Sequence, residues 1–408
     1  MGVRECPMEN LVMEQVSNRG ESKRPMMQFA DIYRNRRVLV TGHTGFKGAW
    51  LCEWLLGLGA TVAGYSLTPP TTPALFNELG LTRRLGHVIG DIRDLDCLLG
   101  VVTEFRPDFV FHMAAQSLVR KAYDAPVETY AVNIMGTVNL LEALRLSGQP
   151  CVAVLVTSDK CYENRECVYG YREDDPMGGF DPYSSSKGAA EIVIGGYRRS
   201  YFSGNDSVVR ICSARSGNVI GGGDWAANRI VPDCIRSLSV NQPIRVRHRT
   251  AVRPWQHVLE PLSGYLWLGA ATASKRVLDT SHWHEGHWSA FNFGPPSGAN
   301  RTVEDLVEAV VRHWPGGTWE DNYNAKSSHE AHQLTLSAEK ALRVLGWQAV
   351  WSFERAVAET VDWYHQWLAD ATRARALTVT QINAYVSSAE EAGSIWAKPV
   401  TAPLSAPH

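Results

Sequence analysis

The feature that most constrains this chain is a glycine-rich loop between a short apolar run and a segment with helical spacing. The apolar run RVLVT (37–41) leads into TGHTGFKG (41–48), which opens the helical segment. Glycines at positions 42, 45 and 48 permit a tight turn and let the backbone approach a pyrophosphate at the positive end of a helix. A plain turn also uses glycine, but the order of strand, loop and helix favours a dinucleotide-binding site.

The first half of the chain continues as an alternation of short apolar runs and helix-length segments. Further strands are predicted at 61–66, 86–91, 108–114, 151–157 and 207–212, and helices at 92–105, 126–147 and 181–203. The runs are continuously apolar, as expected of parallel strands buried on both faces. The pattern predicts an α/β fold with a Rossmann-type, doubly wound parallel sheet.

The regularity weakens after about residue 215, which suggests a division of the chain. We expect an N-terminal extension at 1–34, whose polar composition is compatible with disorder, and an NAD-binding Rossmann domain at 35–215. Residues 216–391 are expected to form a smaller, mainly substrate-binding domain, partly interleaved with the first and containing helices at 302–314, 337–345 and 353–369. A tail follows at 392–408.

Composition excludes several classes of protein. The 408 residues are 45% hydrophobic and carry a formal net charge of −2, so neither a disordered chain nor a basic nucleic-acid binder is indicated. No apolar run approaches the roughly 18 residues of a membrane helix, and no secretory signal is visible. The cysteines form no CxxC motif, so the sequence predicts no metal site and a cytoplasmic location with reduced thiols.

A tyrosine and a lysine lie four residues apart in DPYSSSKG. Asp181 and Pro182 are suited to the N-cap and first position of a helix, which places Tyr183 and Lys187 on one helical face. A nearby ammonium group and the helix terminus should lower the pKa of a phenol. Such a tyrosine can take a proton from a sugar hydroxyl while a nicotinamide takes the hydride.

The preceding strand ends in the polar run Thr157-Ser158-Asp159-Lys160. Ligands of open α/β sheets bind outside the carboxyl ends of the strands, so these side chains are expected to face cofactor and substrate. The functional interpretation is a set of groups for proton transfer. The alternative is a loop in which Ser158 and Asp159 only cap the next turn.

Seven longer segments carry a resemblance to a known family. They are TGHTGFKGAWL (41–51), GDIRD (90–94), HMAAQSLVR (112–120), TSDKCYENRE (157–166), GYREDDPMGGFDPYSSSKG (170–188), GNVIGGGDW (217–225) and RPWQHVLEPLSGYLWL (253–268). Together they resemble the sugar-nucleotide branch of the extended short-chain dehydrogenase/reductase family, and most closely its CDP-glucose 4,6-dehydratase group. The chain departs from the family pattern at Ser117, Cys167 and Tyr169, which affects local substrate contacts rather than the chemistry.

The resemblance implies a homodimer, or alternatively a dimer of dimers, and an enzyme with a recycled NAD that acts on a nucleotide sugar. It implies that Tyr183, assisted by Ser158 and Lys187, removes the C4 hydroxyl proton. It also implies that Asp159 is the acid and Lys160 the base of the following elimination. The expected product is a 4-dehydro-6-deoxy sugar, formed with loss of water.

The remaining candidate residues surround the same sheet edge. The expected cofactor contacts are Gly42, Thr44, Gly45, Phe46, Gly48, Asp91, Ile92, Ala114, Ala115, Gln116, Tyr183 and Lys187, and the expected substrate contacts are Gln116, Asn218 and Arg253. Asp91 is a candidate contact to adenine, or alternatively the N-cap of the next helix. Arg253 is a candidate for the diphosphate, or alternatively a surface arginine. The second strand ends in Tyr65-Ser66 without an acid, so this position does not distinguish NAD from NADP.

Several alternatives remain open. Another nucleotide-sugar dehydratase or a 4-epimerase would use the same Tyr/Lys pair, although an epimerase needs no Asp159-Lys160 pair. A catalytically silent NAD-binding regulator is the remaining class, and it is disfavoured because Tyr183, Lys187 and Ser158 are all present. Two further clusters are interpreted as structural. They are the histidines 282, 284 and 287, expected in a solvent-facing loop, and the tryptophans 347, 351, 363 and 367, expected in the core.

Overall fold

The computed structural model describes residues 28–203, 207–274, 290–296, 298–322 and 333–398. Its centre is a seven-stranded sheet in which every pair of neighbouring strands is parallel. The strands are β1 (Arg37–Thr41), β2 (Thr61–Ser66), β3 (Gly86–Ile89), β4 (Phe109–His112), β5 (Cys151–Val156), β6 (Val209–Ser216) and β11 (Ala290–Phe293). Their order, β11-β6-β5-β4-β1-β2-β3, reverses direction between β1 and β4. The expected Rossmann-type sheet is therefore confirmed, and the reversal marks the crevice where such folds bind ligands.

Helices cover both faces of this sheet because the strands are apolar on both sides. Val38 and Val40 of β1 belong to one hydrophobic cluster and Leu39, between them, to another. In the first half of the chain the helices are α1 (Phe46–Gly57), α2 (Leu75–Glu78), α3 (Leu95–Phe105), α4 (Val119–Asp124), α5 (Pro126–Tyr130), α6 (Gly136–Ser147) and α7 (Pro182–Ser200). A π-helical turn at Ala131–Met135 joins α5 to α6, so the helix expected at 126–147 is continuous apart from this change of winding.

The second half of the chain packs beside the carboxyl edge of the sheet. Its helices are α8 (Ile230–Ser239), α9 (Leu259–Ala273), α10 (Val303–Arg312), α11 (Glu339–Leu345), α12 (Phe353–Ala369) and α13 (Ala374–Glu391). Six short strands form three small pairs: β7 (Val219–Ile220) with β10 (Gln256–His257), β9 (Val252–Arg253) with β12 (Arg301–Thr302), and β8 (Ile244–Val246) with β13 (Trp319–Asp321). Strand β11 comes from this half yet completes the main sheet, so the two halves share one sheet.

Both ends of the described chain differ from the sequence expectation. Residues 28–34 fall in the predicted extension, but Phe29 and Tyr33 are buried, and the Tyr33 hydroxyl donates to the Leu266 carbonyl over 2.6 Å. Trp396 falls in the predicted tail, but it is buried and stacks on Phe29 with ring centroids 5.0 Å apart. The two segments pack against each other because each carries aromatic residues that neither could bury alone.

The structural interpretation of the tryptophans is confirmed. Trp347, Trp351 and Trp363 are buried in the main hydrophobic cluster, and Trp367 packs against its edge. The histidines 282, 284 and 287 lie outside the described residues. Within the described ranges, no group of three His, Cys, Asp or Glu side chains is arranged to hold a metal ion. None of the helices in that part of the chain has the length and apolarity that crossing a bilayer requires.

Candidate active site

A deep cleft runs along the carboxyl ends of β1, β2, β4, β5 and β6. Its volume is about 1560 Å³. It brings together every site residue expected from the sequence: Gly42, Thr44, Gly45, Phe46, Gly48, Asp91, Ile92, Ala114, Ala115, Gln116, Ser158, Asp159, Lys160, Tyr183, Lys187, Asn218 and Arg253. These residues come from segments spread over more than 200 positions, and parallel strands bring them to one edge.

The glycine loop forms a narrow cradle between β1 and α1. Gly42 has a φ of +76°, and a Cβ there would lie 2.6 Å from the backbone nitrogen of Ala114. A Cβ on Gly48 would lie 2.3 Å from the Gly42 carbonyl oxygen. Gly45 is the N-cap of α1, so the helix presents unpaired N–H groups toward the cleft. This geometry fits the diphosphate of a dinucleotide.

The part of the cleft near Asp91, where the adenine contact was expected, differs from the sequence prediction. Asp91 forms an ion pair with Arg93 at 2.5 Å, and hydrogen bonding to Arg93 lowers its pKa. The N-cap of α3 is Asp94, which accepts the N–H of Cys97, so the interpretation of Asp91 as the helix cap is wrong. The helix begins three residues later than expected, after Asp94, whose backbone is extended and whose side chain caps the first turn. Thr44 Oγ1 lies 2.8 Å from Ser66 Oγ beside this end of the cleft.

Asp181 fixes the start of the helix that carries Tyr183 and Lys187. Its Oδ1 accepts the N–H groups of Tyr183 and Ser184 at 2.9 and 3.0 Å, as the sequence predicted for an N-cap. Tyr183 is buried, and burial raises its pKa to about 12, while a hydrogen bond with Ser158 and the charge of Arg229 lower it. The expected acidification of this phenol by Lys187 is therefore not found, because desolvation outweighs the nearby charges.

Lys187 is also buried, and burial lowers its pKa to about 8. The charge of Glu191, one helical turn further along α7, opposes this shift. With a pKa of about 8, Lys187 gains or loses its proton close to neutral pH.

The end of β5 passes into a short 3₁₀ turn, Asp159–Cys161, that places its polar residues in the cleft. Ser158 Oγ donates to Asp159 Oδ1 over 2.9 Å and accepts the N–H of Lys160. Asp159 is buried, and its Oδ2 has no hydrogen-bond partner. Burial raises the pKa of Asp159, which favours the protonated carboxyl group. Ser158 does cap the turn, as the structural alternative expected, but Asp159 does not cap it and keeps one buried oxygen without a partner.

The side chain of Gln116 is largely used by its own loop. Its Nε2 donates to Thr129 Oγ1 over 3.0 Å and its Oε1 accepts the N–H of Leu118. Asn133 holds the backbone of Gln116 on both sides through its amide group. The structure therefore gives Gln116 a role in shaping the cleft wall beside Ala114 and Ala115.

On the opposite wall, Arg253 is buried rather than at the surface, which removes the alternative interpretation of this residue. Its Nη1 donates to the Val252 carbonyl over 2.8 Å, and its charge opposes the rise that burial causes in the pKa of Asp159. Asn218 lies on the same wall, where its carbonyl accepts the N–H of Gln256.

Sequence reasoning missed several further cations in the cleft, among them Lys47 and Arg229. Lys47 donates to Ser216 Oγ and Tyr265 Oη, each over 3.1 Å, and burial lowers its pKa to about 7. Arg229 pairs with Asp224 at 2.9 Å and also donates to Ser117. For Lys47 the sequence did contain a signal. A lysine stands within the otherwise uncharged glycine loop, where an apolar residue would suit the buried position better. With Arg253, these groups make the cleft suited to an anionic ligand.

Comparison with known proteins agrees with this geometry. The profile of the GDP-mannose 4,6-dehydratase family matches residues 39–360. A CDP-glucose 4,6-dehydratase of Salmonella typhimurium is 46% identical over 343 residues, covering 83% of this chain and 93% of the relative. A dTDP-glucose 4,6-dehydratase of Neisseria meningitidis is 26% identical over 345 residues, covering 81% of this chain and 93% of the relative.

A similar solved structure is the UDP-glucose 4-epimerase of Thermus thermophilus in complex with NAD. It is 26% identical, has a TM-score of 0.66, and the match covers 81% of this chain and 99% of the epimerase. The family profile spans more than half of the chain, and the relative from Salmonella is well above 30% identity over most of it. The chain therefore belongs to the GDP-mannose 4,6-dehydratase family, in the sugar-nucleotide branch of the extended short-chain dehydrogenases/reductases.

Proposed function

We propose that this protein is a CDP-glucose 4,6-dehydratase, which converts CDP-D-glucose to CDP-4-dehydro-6-deoxy-D-glucose and water. The observation that carries the proposal is the buried Asp159 carboxyl group, which lines the cleft beside Ser158 and keeps one oxygen, Oδ2, without a hydrogen-bond partner. An elimination needs such an acid next to the oxidising site. The 46% identity to the Salmonella enzyme supports the choice of nucleotide.

NAD is the proposed resident cofactor. The glycine cradle at the start of α1 would hold its diphosphate, Asp91 and Ile92 would border the adenosine, and Ala114, Ala115, Tyr183 and Lys187 would border the nicotinamide half. When bound, NAD supplies the acceptor for the C4 hydride and its donor to C6, and its cationic ring adds positive charge beside Tyr183.

The phenol of Tyr183, on α7, carries out the first proton transfer. Tyr183 takes the proton of the C4 hydroxyl, and Ser158, whose interaction with the phenol lowers its pKa, orients both groups. Lys187 stabilises the charge that develops on the phenol oxygen, because it is buried on the same helical face.

The elimination falls to the turn that follows β5. A ketone at C4 acidifies the C5 proton, which Lys160 removes, while Asp159 protonates the departing C6 hydroxyl. The C5 proton and the C6 hydroxyl leave together as the equivalent of one water molecule. When C6 receives the hydride, Lys160 would return a proton to C5, which completes the 6-deoxy product. The raised pKa of Asp159 supports its role as the acid, since the carboxyl group must carry a proton before the step.

Residues on the opposite wall of the cleft, Arg253 and Asn218, bind the substrate. A guanidinium group can hold two phosphate oxygens at once, so Arg253 is assigned to the diphosphate and Asn218 to the neighbouring sugar or phosphate oxygens. Gln116 shapes the wall next to the sugar, with its side chain held by Thr129 and Leu118.

The test is incubation of the purified protein, without added cofactor, with CDP-, dTDP-, GDP- and UDP-hexoses. The expected result is the loss of one water from CDP-glucose, read as a decrease in product mass. Water loss from another nucleotide sugar would reassign the substrate, and inversion at C4 without water loss would favour a 4-epimerase. No reaction with any of them would favour a silent NAD-binding regulator.

Two variants test the assignments within the site. Tyr183→Phe and Lys160→Ala should each lose most of the turnover. A wild-type rate in either variant would contradict the role given to that residue.

A homodimer is proposed from the exposed apolar side chains on the helices α4 to α7. Val127 is 81% exposed and Ile192 is 64% exposed, and Tyr123, Tyr130 and Met135 lie on the same group of helices. Such a surface suits the contact of two equal copies. Sedimentation should give twice the chain mass of 45.2 kDa, and Ile192→Glu should shift it toward the monomer. Leu368→Glu, at an exposed position of α12, is the control, and a monomeric wild-type protein would refute the dimer.

Two assignments complete the proposal. The Rossmann unit at 35–215 and the mainly substrate-binding unit at 216–391 are proposed as domains that share the main sheet through β11. A cytoplasmic location is proposed because Cys52, Cys151, Cys161, Cys212 and Cys234 are free, buried thiols, which suits a reducing compartment. Cys97, which is disulfide-bonded, is the exception among the described cysteines.

A further inference from the structure

A buried ion pair lies directly behind the two segments that carry the proposed catalytic groups. Glu191 is on α7, one turn after Lys187, and its Oε2 accepts hydrogen bonds from Arg215 Nη2 and Ser213 Oγ, both over 2.8 Å. Its Oε1 accepts a hydrogen bond from the Thr157 hydroxyl. Glu191 and Arg215 are both almost fully buried.

The pair joins three parts of the fold. Thr157 directly precedes Ser158 and Asp159 at the end of β5, so Glu191 ties α7 to that strand end. Arg215 Nη1 donates over 2.7 Å to the hydroxyl of Tyr162, which follows the 3₁₀ turn containing Lys160. Tyr162 in turn donates over 2.7 Å to Asn292 of β11. The network therefore spans the sheet from α7 to its last strand.

We propose that Glu191, held by Arg215, is a positioning residue of the reaction: it keeps Lys187 protonated and fixes the end of β5 through Thr157. This inference rests on the proposed function for its kinetic consequence, but its electrostatic part concerns the apoprotein as well. Glu191 lines no part of the described cleft, so it acts through its neighbours.

The electrostatic part follows from the groups around Lys187. Burial lowers the pKa of Lys187 to about 8, and Glu191 is the largest influence that raises it. Burial opposes the ionisation of Glu191 as well, but the charge and hydrogen bonds of its partners outweigh burial and lower its pKa. The other groups near Lys187 do not replace this charge: Cys161 has a raised pKa, His112 has a pKa lowered to about 3, and Lys47 is itself basic.

The direct test measures the protonation of Lys187 by its rate of acetylation with acetic anhydride as a function of pH, read by mass spectrometry. The wild-type midpoint is expected near 8. Glu191→Gln should lower it by about one pH unit, because the opposing negative charge is lost. Ser213→Ala is the matched control: it removes a hydrogen bond to Glu191 but no charge, so its midpoint should stay at the wild-type value. An unchanged midpoint in Glu191→Gln overturns the electrostatic part of the proposal.

Glu191→Gln leaves Arg215 as an uncompensated buried charge and can therefore fail to fold. The double variant Glu191→Gln/Arg215→Met removes both charges and is expected to show the same lowered midpoint. If neither variant folds, Glu191→Asp decides: it should keep the wild-type midpoint but lose kcat, because the shorter side chain cannot reach Thr157. An unchanged kcat in this variant overturns the proposal.

The kinetic test separates the two contacts of Glu191. Thr157→Val removes the hydroxyl that donates to Glu191, so kcat for CDP-glucose should fall about tenfold, while KM stays within twofold and the Lys187 midpoint is unchanged. A wild-type kcat in this variant overturns the positioning of the β5 end. If the wild-type protein does not turn over CDP-glucose, the proposed function fails, whereas the acetylation experiment still decides the effect of Glu191 on Lys187.

Discussion

At the scale of single residues, two buried carboxyl groups, one lining the cleft and one behind it, differ in their pKa values because their surroundings differ. Asp159 is buried with one oxygen unpartnered, and its pKa is raised. Glu191 is equally buried, but three donors and the Arg215 charge lower its pKa. The same chemical group is therefore prepared as a proton donor in one place and as a fixed negative charge in the other, and local partners decide between the two.

Asp159→Asn tests the acid role. The amide fills the same space but cannot protonate the C6 hydroxyl, so kcat for water loss should fall about 100-fold or more with little change in KM. Removal of the C5 proton by Lys160 should persist, so substrate recovered from heavy water should carry deuterium at C5. Water loss is followed by mass spectrometry, with the exposed Asp174→Asn as control. A rate within threefold of wild type would contradict the assignment.

The sequence was sufficient to predict which motif residues meet, but not the network around them. Tyr183, Lys187 and residues 158–160 follow recognisable patterns at strand and helix ends. Lys47, Arg229 and Glu191 have no such pattern, because their partners lie far away in sequence. The direction of the Tyr183 pKa shift was also missed, since the extent of burial depends on side chains from both halves of the chain.

At the scale of elements, the start of α7 determines where Tyr183 lies. Asp181→Ala removes the acceptor for the N–H groups of Tyr183 and Ser184, which should destabilise the protein by about 1 kcal/mol. It should also lower kcat, because the first turn loses its anchor. Urea unfolding and turnover measure the two effects. Asp181→Asn is the conservative control and should retain most of both; equal stability of the alanine variant and wild type would refute the cap.

The glycine loop permits a matched comparison within α1. A Cβ on Gly48 would lie 2.3 Å from the Gly42 carbonyl, whereas a Cβ on Gly57 would have no atom within 4 Å. Gly48→Ala should therefore spoil the cradle and weaken NAD binding by tenfold or more, measured by calorimetry. Gly57→Ala should leave NAD binding unchanged and slightly raise stability, since alanine favours a helix. Equal affinity in the two variants would contradict the cradle.

The alternating first half of the chain was predictable element by element, whereas parts of the second half were not. Strands β1 to β6 are short apolar runs bounded by glycine or polar residues, which is a local signal. Helix α9 is buried along nearly its whole length, so it shows no polar face by which its period could be recognised. The packing of residues 28–34 against Trp396 depends on a contact between the two ends of the described chain, which local patterns do not contain.

At the scale of the whole molecule, the near-neutral net charge of −2 is matched by a near balance of charges along the cleft. Lys47, Lys187, Arg229 and Arg253 converge on one cleft, which acidic residues line in almost the same number as basic ones. The composition alone therefore excluded a nucleic-acid binder without arguing against an anionic small molecule. Recognition of a diphosphate would therefore depend on the position of single cations such as Arg253 and not on an overall excess of positive charge.

The buried histidines make global stability depend on pH. Burial lowers the pKa values of His43, His112 and His257 to about 3, compared with about 6.5 when unfolded. Their contribution is therefore fully present above pH 6.5 and is lost as the pH falls, since the unfolded chain binds the extra protons. Glu260 acts in the opposite direction, because burial raises its pKa to about 7, so its contribution is lost as the pH rises from about 4.5 to 7.

Three protons taken up on unfolding, less the one released by Glu260, leave a net uptake of about two between pH 4.5 and 6.5. From these four groups, the free energy of unfolding should decrease by about 3 kcal/mol for each unit by which the pH is lowered in that range. Urea unfolding at constant ionic strength can measure this dependence. His257→Gln should reduce this slope by about 1.4 kcal/mol per pH unit, whatever its effect at pH 7.5. His313→Gln, at an exposed position, should leave the slope unchanged. A wild-type slope in His257→Gln would mean that this histidine is not kept neutral by burial, and that the acid sensitivity of the fold arises from other groups.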